Sequence, residues 1–522
     1  LAGTPEIAKI TYDSKGLAQK EVVQEAKKGY DIHLSIDIEL QSTLDDIVKN
    51  TLSENGGTAN RENFQSLFTT VLNPQDGSVL AMSGYQMDLD SKQLTYFASG
   101  NYMSLVNPGS CIKGATVYMG ESEGVIKPGD VIYDKVMNIG GQEFASYVDH
   151  GPVNDVTALE VSSNVYMFNV AIRLAGASYV EGEPLNVSDL QGTLNKMRSY
   201  YSMFGLGNKT GIDVPGESSG YMGYGSEPGM LLNYSIGQFD MYSPLQLAIY
   251  SSTIASGGNL YQPRLFSYAT EVNSQEVVVS NEKKIKSVLP KKNEEYLERV
   301  REGFRACVTS GNCGEDIMKY SVPVSAKTGT AEVEEWTTAN LVGYAPSDDP
   351  TMAFACSAPT SGQNNQEVAA NICSTVVMPK FIEKYFEKYA EIKDYMNKSI
   401  AFGKENGYVS TVLNRKRYIP EINEKNYMRQ EFGKRLAMNS PIQGSAADII
   451  KLAMIKVDQL LKENHMKSKM ILQVHDELIF DVYEDELEQM MKLVQTGMES
   501  AYQMTVELKA EGTYAKNWYE LK

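Results

Sequence analysis

The chain has 522 residues, with 66 acidic against 48 basic side chains and a formal net charge of −18, long enough for two or three domains with separate cores. No apolar run of about eighteen residues occurs, and no basic-then-apolar leader follows Leu1, so the sequence argues against a membrane span and a signal peptide. Residues 1–380 carry 44 acidic and 27 basic side chains whereas 381–522 carry 22 and 21, which excludes the first stretch as a body that binds phosphate backbones.

Residues 1–30 are polar, with turn chemistry at Asp13-Ser14-Lys15-Gly16, and read as the frayed end of something larger. A strand at Ile32, Leu34 and Ile36 gives way to a helix through Leu40, Leu44, Ile47 and Leu52. Phe68 to Tyr85 reads as a hairpin around Asn73-Pro74-Gln75-Asp76-Gly77. Pro108-Gly109 is a turn, and the spacing of apolar residues from Cys111 to Met119 predicts a helix, which puts Ser110 at a helix N-terminus. Helical patterns follow around Ala158 to Leu174, Leu194 to Phe204 and Pro244 to Ala255. Strands are expected at Val277 to Val279, Val322 to Ala326, Leu341 to Ala345 and Met352 to Ser357, then a helix from Gln366 to Tyr389. Hairpin, helices and returning strands predict an α+β fold, an antiparallel sheet flanked by helices.

After about Pro379 the character changes. Helix Phe381 to Lys404, hairpin Tyr408 to Ile419, two helices Tyr427 to Ala437 and Ile442 to Lys462 separated at Pro441, hairpin Met470 to Val482, helix Glu484 to Met504 and a last strand Thr505 to Lys509 make a small α+β unit. Five cysteines without C-x-x-C spacing argue against a zinc site and a disulfide framework; Cys307 and Cys313 could pair under oxidation, but free thiols are the expectation.

Two places concentrate chemistry. Ser110 and Lys113 lie one helical turn apart on a shared face, where a desolvated lysine can act as base and helix N–H groups favour negative charge on the serine oxygen. Ser-x-x-Lys recurs at Ser280–Lys283 in a polar stretch, and Lys-Thr-Gly occurs both in the glycine-rich loop at Lys209 and in the strand at Lys327-Thr328-Gly329-Thr330, so context decides. Gly329 lets a ligand approach the strand, and such an edge can take up an extended peptide with its carboxylate. Ser162-Ser163-Asn164 opens a helical run, from which hydroxyl and amide can reach a cleft.

The ordered trio Ser110/Lys113, Ser162/Asn164 and Lys327/Thr328/Gly329 is the signature of penicillin-binding proteins and class A β-lactamases. Residues 31–380 resemble the transpeptidase domain of class B penicillin-binding proteins, also through Asn73 to Met82, Phe204 to Gly207 with Thr210 to Glu217, and Ser235 to Gln238 with Ser243 to Ala248. The resemblance implies a β-lactamase-like fold and a Ser110 that attacks the bond between the terminal D-alanines of a peptidoglycan stem. An acyl-enzyme forms and passes to a neighbouring amine. It implies Lys113 as base, Ser162 as proton relay beside Lys327, and Asn164 on the substrate amide. Thr328 and Thr330 would take the carboxylate with Lys327, and the N–H groups of Ser110 and Thr330 would form the oxyanion hole. No cofactor is implied, and β-lactams would acylate the same serine. Members are membrane-anchored and extracytoplasmic with an elongated pedestal, of which residues 1–30 would be the remnant. Cys111 and Ile112 depart from the residues usual after the nucleophile.

The second place is the hairpin tip Gln473-Val474-His475-Asp476-Glu477, where adjacent carboxylates suggest a divalent metal. Upstream, Arg435, Asn439 and Gln443 recur at four-residue steps and suit phosphates and base edges. These residues, with Gly407 to Val409, Arg415 to Arg417 and Lys434 to Asp448, resemble the C-terminal palm of family A DNA polymerases over 381–522. That implies primer and template contacts from Arg435, Asn439, Gln443 and His475, and metal ligands at Asp476 and Glu477. The family's other metal-binding aspartate and its nucleotide-binding helix are missing upstream of Phe381, so Mg²⁺ is expected only if the site were complete. The whole reads as a transpeptidase fused to an incomplete palm. The alternatives are a nucleic-acid-binding module with weak, salt-sensitive affinity, and a β-lactam sensor that acylates without transfer.

Overall fold

The computed structural model describes residues 2–12, 15, 17–274, 276–311, 313, 322–363, 371–388, 390–425, 427–474, 476–504 and 508–517. Contacts divide the chain into two units, Leu1–Lys388 and Tyr389–Lys522. The first begins with a hairpin, β1 (Ile7–Tyr12) and β2 (Ala18–Gln24), where the sequence suggests a frayed end. Its side chains are exposed almost throughout, so backbone pairing holds it and the hydrophobic pattern gives no sign of it. Helix α1 (Ile38–Asn55) starts where the Asp37 carboxylate accepts the N–H groups of Glu39 and Leu40, and it buries Leu40, Leu44, Val48 and Leu52.

The strands β3 (Ser66–Leu72), β4 (Val79–Met87) and β5 (Leu94–Tyr96) come next. A short 3₁₀ turn, Gly109–Ile112, leads into α2 (Lys113–Ser122), so Ser110 lies in the turn before the α-helix rather than at its first residue. Strands β6 (Ile132–Asp134) and β7 (Gly151–Val153) pair antiparallel beside the site. The single helix expected over Ala158 to Leu174 is two, α3 (Asp155–Glu160) and α4 (Asn164–Leu174). Ser162, at φ +60, breaks the run, and the Ser163 hydroxyl caps the second helix at Tyr166 N.

Helix α5 (Pro244–Ala255) is buried at every position and opens with a capping box between Ser243 and Gln246. Helix α6 (Glu294–Thr309) precedes β8 (Ser325–Val333), β9 (Trp336–Ala345) and β10 (Met352–Gln363), and α7 (Met378–Lys388) closes the unit. The main sheet runs β8-β9-β10-β3-β4-β5, antiparallel throughout, as the α+β reading requires. Every residue of β3 is buried, so both faces are covered: α5 packs on β10, tied by Ser251 Oγ to Phe354 O at 3.0 Å, and α1 packs on β4 with α7 beside it. Two disulfides, Cys307–Cys313 and Cys356–Cys373, correct the expectation of free thiols; Cys111 is free and buried. Fold proximity, invisible in linear spacing, brings each pair together.

The second unit contains α8 (Ala390–Asn406), the hairpin β11 (Tyr408–Ser410) and β12 (Lys416–Tyr418), α9 (Tyr427–Glu463), the hairpin β13 (Lys469–Val474) and β14 (Glu477–Asp481), and α10 (Leu487–Glu499). The break expected at Pro441 is absent, because α9 runs through it as one helix. An interior proline costs about 3 kcal/mol, and packing holds α9 on both sides of it. Val409, Ile419 and Ile422 gather around Ala437, and Met490 meets Val457 and Leu461. The expected last strand falls largely on 505–507, outside the described residues, as does the start of the helix expected from Gln366. Among the described residues, no helix is long and apolar enough to cross a membrane.

Candidate active site

The turn that carries Ser110 is jammed against β8. A Cβ on Gly109 would lie 2.5 Å from Thr330 O, and one on Gly329 would lie 2.2 Å from Pro108 O and 2.8 Å from Cys111 Sγ. Only glycine at both positions lets turn and strand touch backbone to backbone. The contact is pinned from two further directions. Gly109 N donates to Gly237 O at 3.0 Å, and Asn340 Nδ2 on β9 donates to Asn107 O at 2.9 Å.

Lys113 and Lys327 are both fully buried and converge on one hydroxyl. Lys113 Nζ donates to Ser162 O at 2.6 Å and to Asn164 Oδ1 at 2.7 Å, with Ser162 Oγ 3.3 Å away. Lys327 Nζ donates to the same Ser162 Oγ and to Thr328 O, each at 3.0 Å. The structure thus brings Lys113, Ser162, Asn164 and Lys327 together, with Ser110 in the turn that precedes Lys113. Burial, and then the Lys327 charge, hold the Lys113 amine well below its ordinary range, opposed by Asp134. Burial also lowers Lys327, to about 8, while Cys111 pulls the other way. A neutral amine has two N–H bonds; the two short contacts use them and leave its lone pair free.

β8 is the end strand of the sheet, and among the described residues no strand pairs with its outer edge. Thr330 is exposed and Thr328 half-buried. Thr328 N donates to the Sγ of Cys313, 3.3 Å away, so the Cys307–Cys313 disulfide ties this edge to α6. The rival motifs are structural. The N–H groups of Thr210 and Gly211 bind the Glu217 carboxylate, and Ser280 Oγ donates to Glu282 at 2.7 Å on the surface. Sequence reasoning missed Asp134, Ser146 and Cys313, which carry no motif and meet the site only through the fold.

In the second unit, Asn439 is half-buried and Gln443 exposed on α9, while Asp476 and Glu477 are exposed at the hairpin tip. His475 and the side chain of Arg435 lie outside the described residues. Some of the exposed basic cluster has partners within the unit: Arg415 Nε donates to the buried Asp448 at 2.9 Å, and Lys416 Nζ sits 4.1 Å from the centre of the Tyr408 ring. Among the described residues, no three metal-ligating side chains come together.

Comparison with known proteins finds relatives for both parts of the chain. The penicillin binding protein transpeptidase domain family matches residues 67–378, and DNA polymerase family A matches residues 362–520. Penicillin-binding protein 2A of Bacillus subtilis is 35% identical over 396 residues, 71% of this chain and 54% of that protein. The solved structure of penicillin-binding protein 2B from Streptococcus pneumoniae superposes with a TM-score of 0.67 at 28% identity, over 74% of this chain and 64% of that one. DNA polymerase I of Caldicellulosiruptor bescii is 50% identical over 143 residues, 27% of this chain and 17% of that protein. The chain thus spans about half the length of the curated penicillin-binding relatives it matches. With a transpeptidase match over more than half of its length, the chain belongs to the penicillin-binding protein transpeptidase family, and residues 362–520 carry a match to DNA polymerase family A.

Proposed function

We propose that the first unit is a serine D,D-transpeptidase that cross-links peptidoglycan stem peptides through an acyl-Ser110 intermediate and is acylated by β-lactams. The observation that carries this reading is the sharing of Ser162 Oγ by two buried lysines beside a serine turn packed on an edge strand. Lys113, held neutral, takes the Ser110 proton as Oγ bonds to the D-alanyl carbonyl carbon. When the C–N bond breaks, Ser162 gives its proton to the departing amine and recovers one from Lys113 over 3.3 Å. Lys327 stays cationic, fixes Ser162 Oγ and, with Thr328 and Thr330, receives the substrate carboxylate. The N–H groups of Ser110 and Thr330 face the developing oxyanion. The amine of a second stem then attacks the ester carbonyl, giving its proton back along the same route. A β-lactam follows the first half, but its nitrogen stays tethered after the ring opens.

Labelling by a fluorescent penicillin, with and without Ser110→Ala, tests the proposal; label that persists in the variant overturns it. For the second unit we read an incomplete palm with residual DNA contacts at Arg435, Asn439, Gln443 and His475, and with Asp476 and Glu477 as half of a Mg²⁺ site. The match to only 17% of a polymerase supports this, because two-metal transfer needs carboxylates from separate segments. Primer extension with Mg²⁺ is the test: incorporation that disappears in Asp476→Ala would overturn it.

A further inference from the structure

Asp134, at the end of β6, has no exposed surface, and among the described residues its Oδ1 meets no hydrogen-bond donor. Its Oδ2 accepts two hydroxyl protons, from Ser163 and, at 2.7 Å, from Ser146. Both serines are thereby oriented with their lone pairs toward the first turn of α4. Ser146 Oγ accepts Asn164 N at 2.8 Å, and Ser163 Oγ accepts Tyr166 N at 3.0 Å. Ala145 O, next to Ser146, accepts Asn164 Nδ2 at 3.0 Å, which turns Asn164 Oδ1 toward Lys113. One carboxylate therefore anchors the backbone on the far side of Ser162, whose left-handed conformation is strained for a residue with a side chain and has to be held from outside. A buried carboxylate with one oxygen unpartnered is expensive for stability alone, which directs attention to its neighbours. The only charged groups that bear on Lys113 among the described residues are Lys327, from β8, and Asp134; Ser162 and Asn164 face it as neutral partners.

We propose that Asp134 is a positioning residue for acyl transfer at Ser110, a buried carboxylate that holds the Ser162–Asn164 turn through Ser146 and Ser163. The inference rests on the transpeptidase reading. It adds a group that touches neither substrate nor nucleophile and that sets both the placement of the relay serine and the pH range over which Lys113 is free to accept a proton.

The experiment measures acylation of the full chain by a fluorescent penicillin from pH 5 to 9 in wild type, Asp134→Asn and Ser163→Ala. Removal of the anion is expected to move the acid limb of the Asp134→Asn profile down by about 1 pH unit and to slow acylation on the plateau at least tenfold. Ser163→Ala keeps the charge and loses one hydroxyl bridge, so its rate should fall while its acid limb stays in place. An Asp134→Asn profile that superposes on wild type in limb and plateau overturns the proposal. If Asp134→Asn does not unfold cooperatively, Ser163→Ala decides alone: a folded variant with a wild-type acylation rate overturns the positioning role. Wild type without Ser110-dependent label would overturn the underlying reaction instead, which the same gel distinguishes.

Discussion

Lys327 Nζ reaches across from the edge strand to donate to Ser162 Oγ over 3.0 Å, joining two motifs that lie 165 residues apart. The hydroxyl at position 162 is therefore held by a cation on one side and placed within 3.3 Å of a second amine on the other. Ser162→Ala and Ser162→Gly should both slow penicillin acylation by about 10²–10⁴-fold, the range for loss of a positioned proton-transfer group. Because position 162 is left-handed, the glycine variant should melt no lower than the alanine variant. Thermal denaturation beside the labelling rate checks both statements.

On the proposed reading Lys327 must be charged to hold Ser162 and to receive a carboxylate, and burial has brought its pKa down to about 8. Acylation should therefore fall as pH rises through about 8, approaching tenfold per unit above it. A kcat/KM profile that stays level to pH 10 would show that the charge on Lys327 is not needed.

Gly329→Ala places a methyl 2.2 Å from Pro108 O and 2.8 Å from Cys111 Sγ, against backbone that is pinned by Asn340. Overpacking of this kind costs about 1–3 kcal/mol. The serine turn should move off β8, so that acylation drops by more than the fall in melting temperature explains. Gly124→Ala, where a Cβ meets nothing within 4 Å but φ is +70, serves as the comparison for backbone strain without contact.

Away from the site, Glu121 is buried and its two carboxylate oxygens lack hydrogen-bond donors among the described residues, while Asp155 beside it is bound by Arg299 through Nε at 2.5 Å and Nη2 at 2.8 Å. Burial, then the Asp155 charge, push the Glu121 carboxyl from 4.5 up to about 9. The unfolded chain ionises first, so this group withdraws stability progressively as pH rises from about 4.5 to about 9. Glu121→Gln offers Asp155 an amide N–H and has no proton to lose. It should leave stability nearly unchanged at pH 4.5 and raise it by roughly 2–4 kcal/mol at pH 8, measured by urea denaturation at the two values.

Replacing Cys307 and Cys313 with serine removes a short covalent loop worth about 2 kcal/mol and the sulfur that accepts Thr328 N. The double variant should unfold at lower urea and label more slowly. Cys356→Ser with Cys373→Ser, on β10 and beyond it, should lose stability with a smaller change in labelling.

Much of this architecture can be read from the residues. Pro244 to Ala255 and the hairpin around Asn73 to Gly77 stand where turn and capping chemistry put them, because those signals are local. The trio around Ser162 is legible for the same reason: each member is a short motif whose neighbours fix its conformation. Helix α6 escapes notice although Leu297, Val300 and Phe304 are suitably spaced, since its N-cap Asn293 makes no side-chain capping bond and charged residues fill the rest. Asp134 and Cys313 escape because their roles exist only once β6 and α6 have packed, and nothing in the Tyr133-Asp134 or Asn312-Cys313 dipeptides marks that.

The border of β8, which no strand pairs among the described residues, has a consequence for how two peptides can meet at Ser110 on the proposed reading. A sheet end accommodates a single extended guest, so the stem that surrenders its D-alanine fills that berth and the stem that supplies the amine must come in over the serine turn by another route. Donor and acceptor are then distinguished by direction of approach rather than by chemical identity, and two copies of the same stem would play different roles according to which arrives at the strand first.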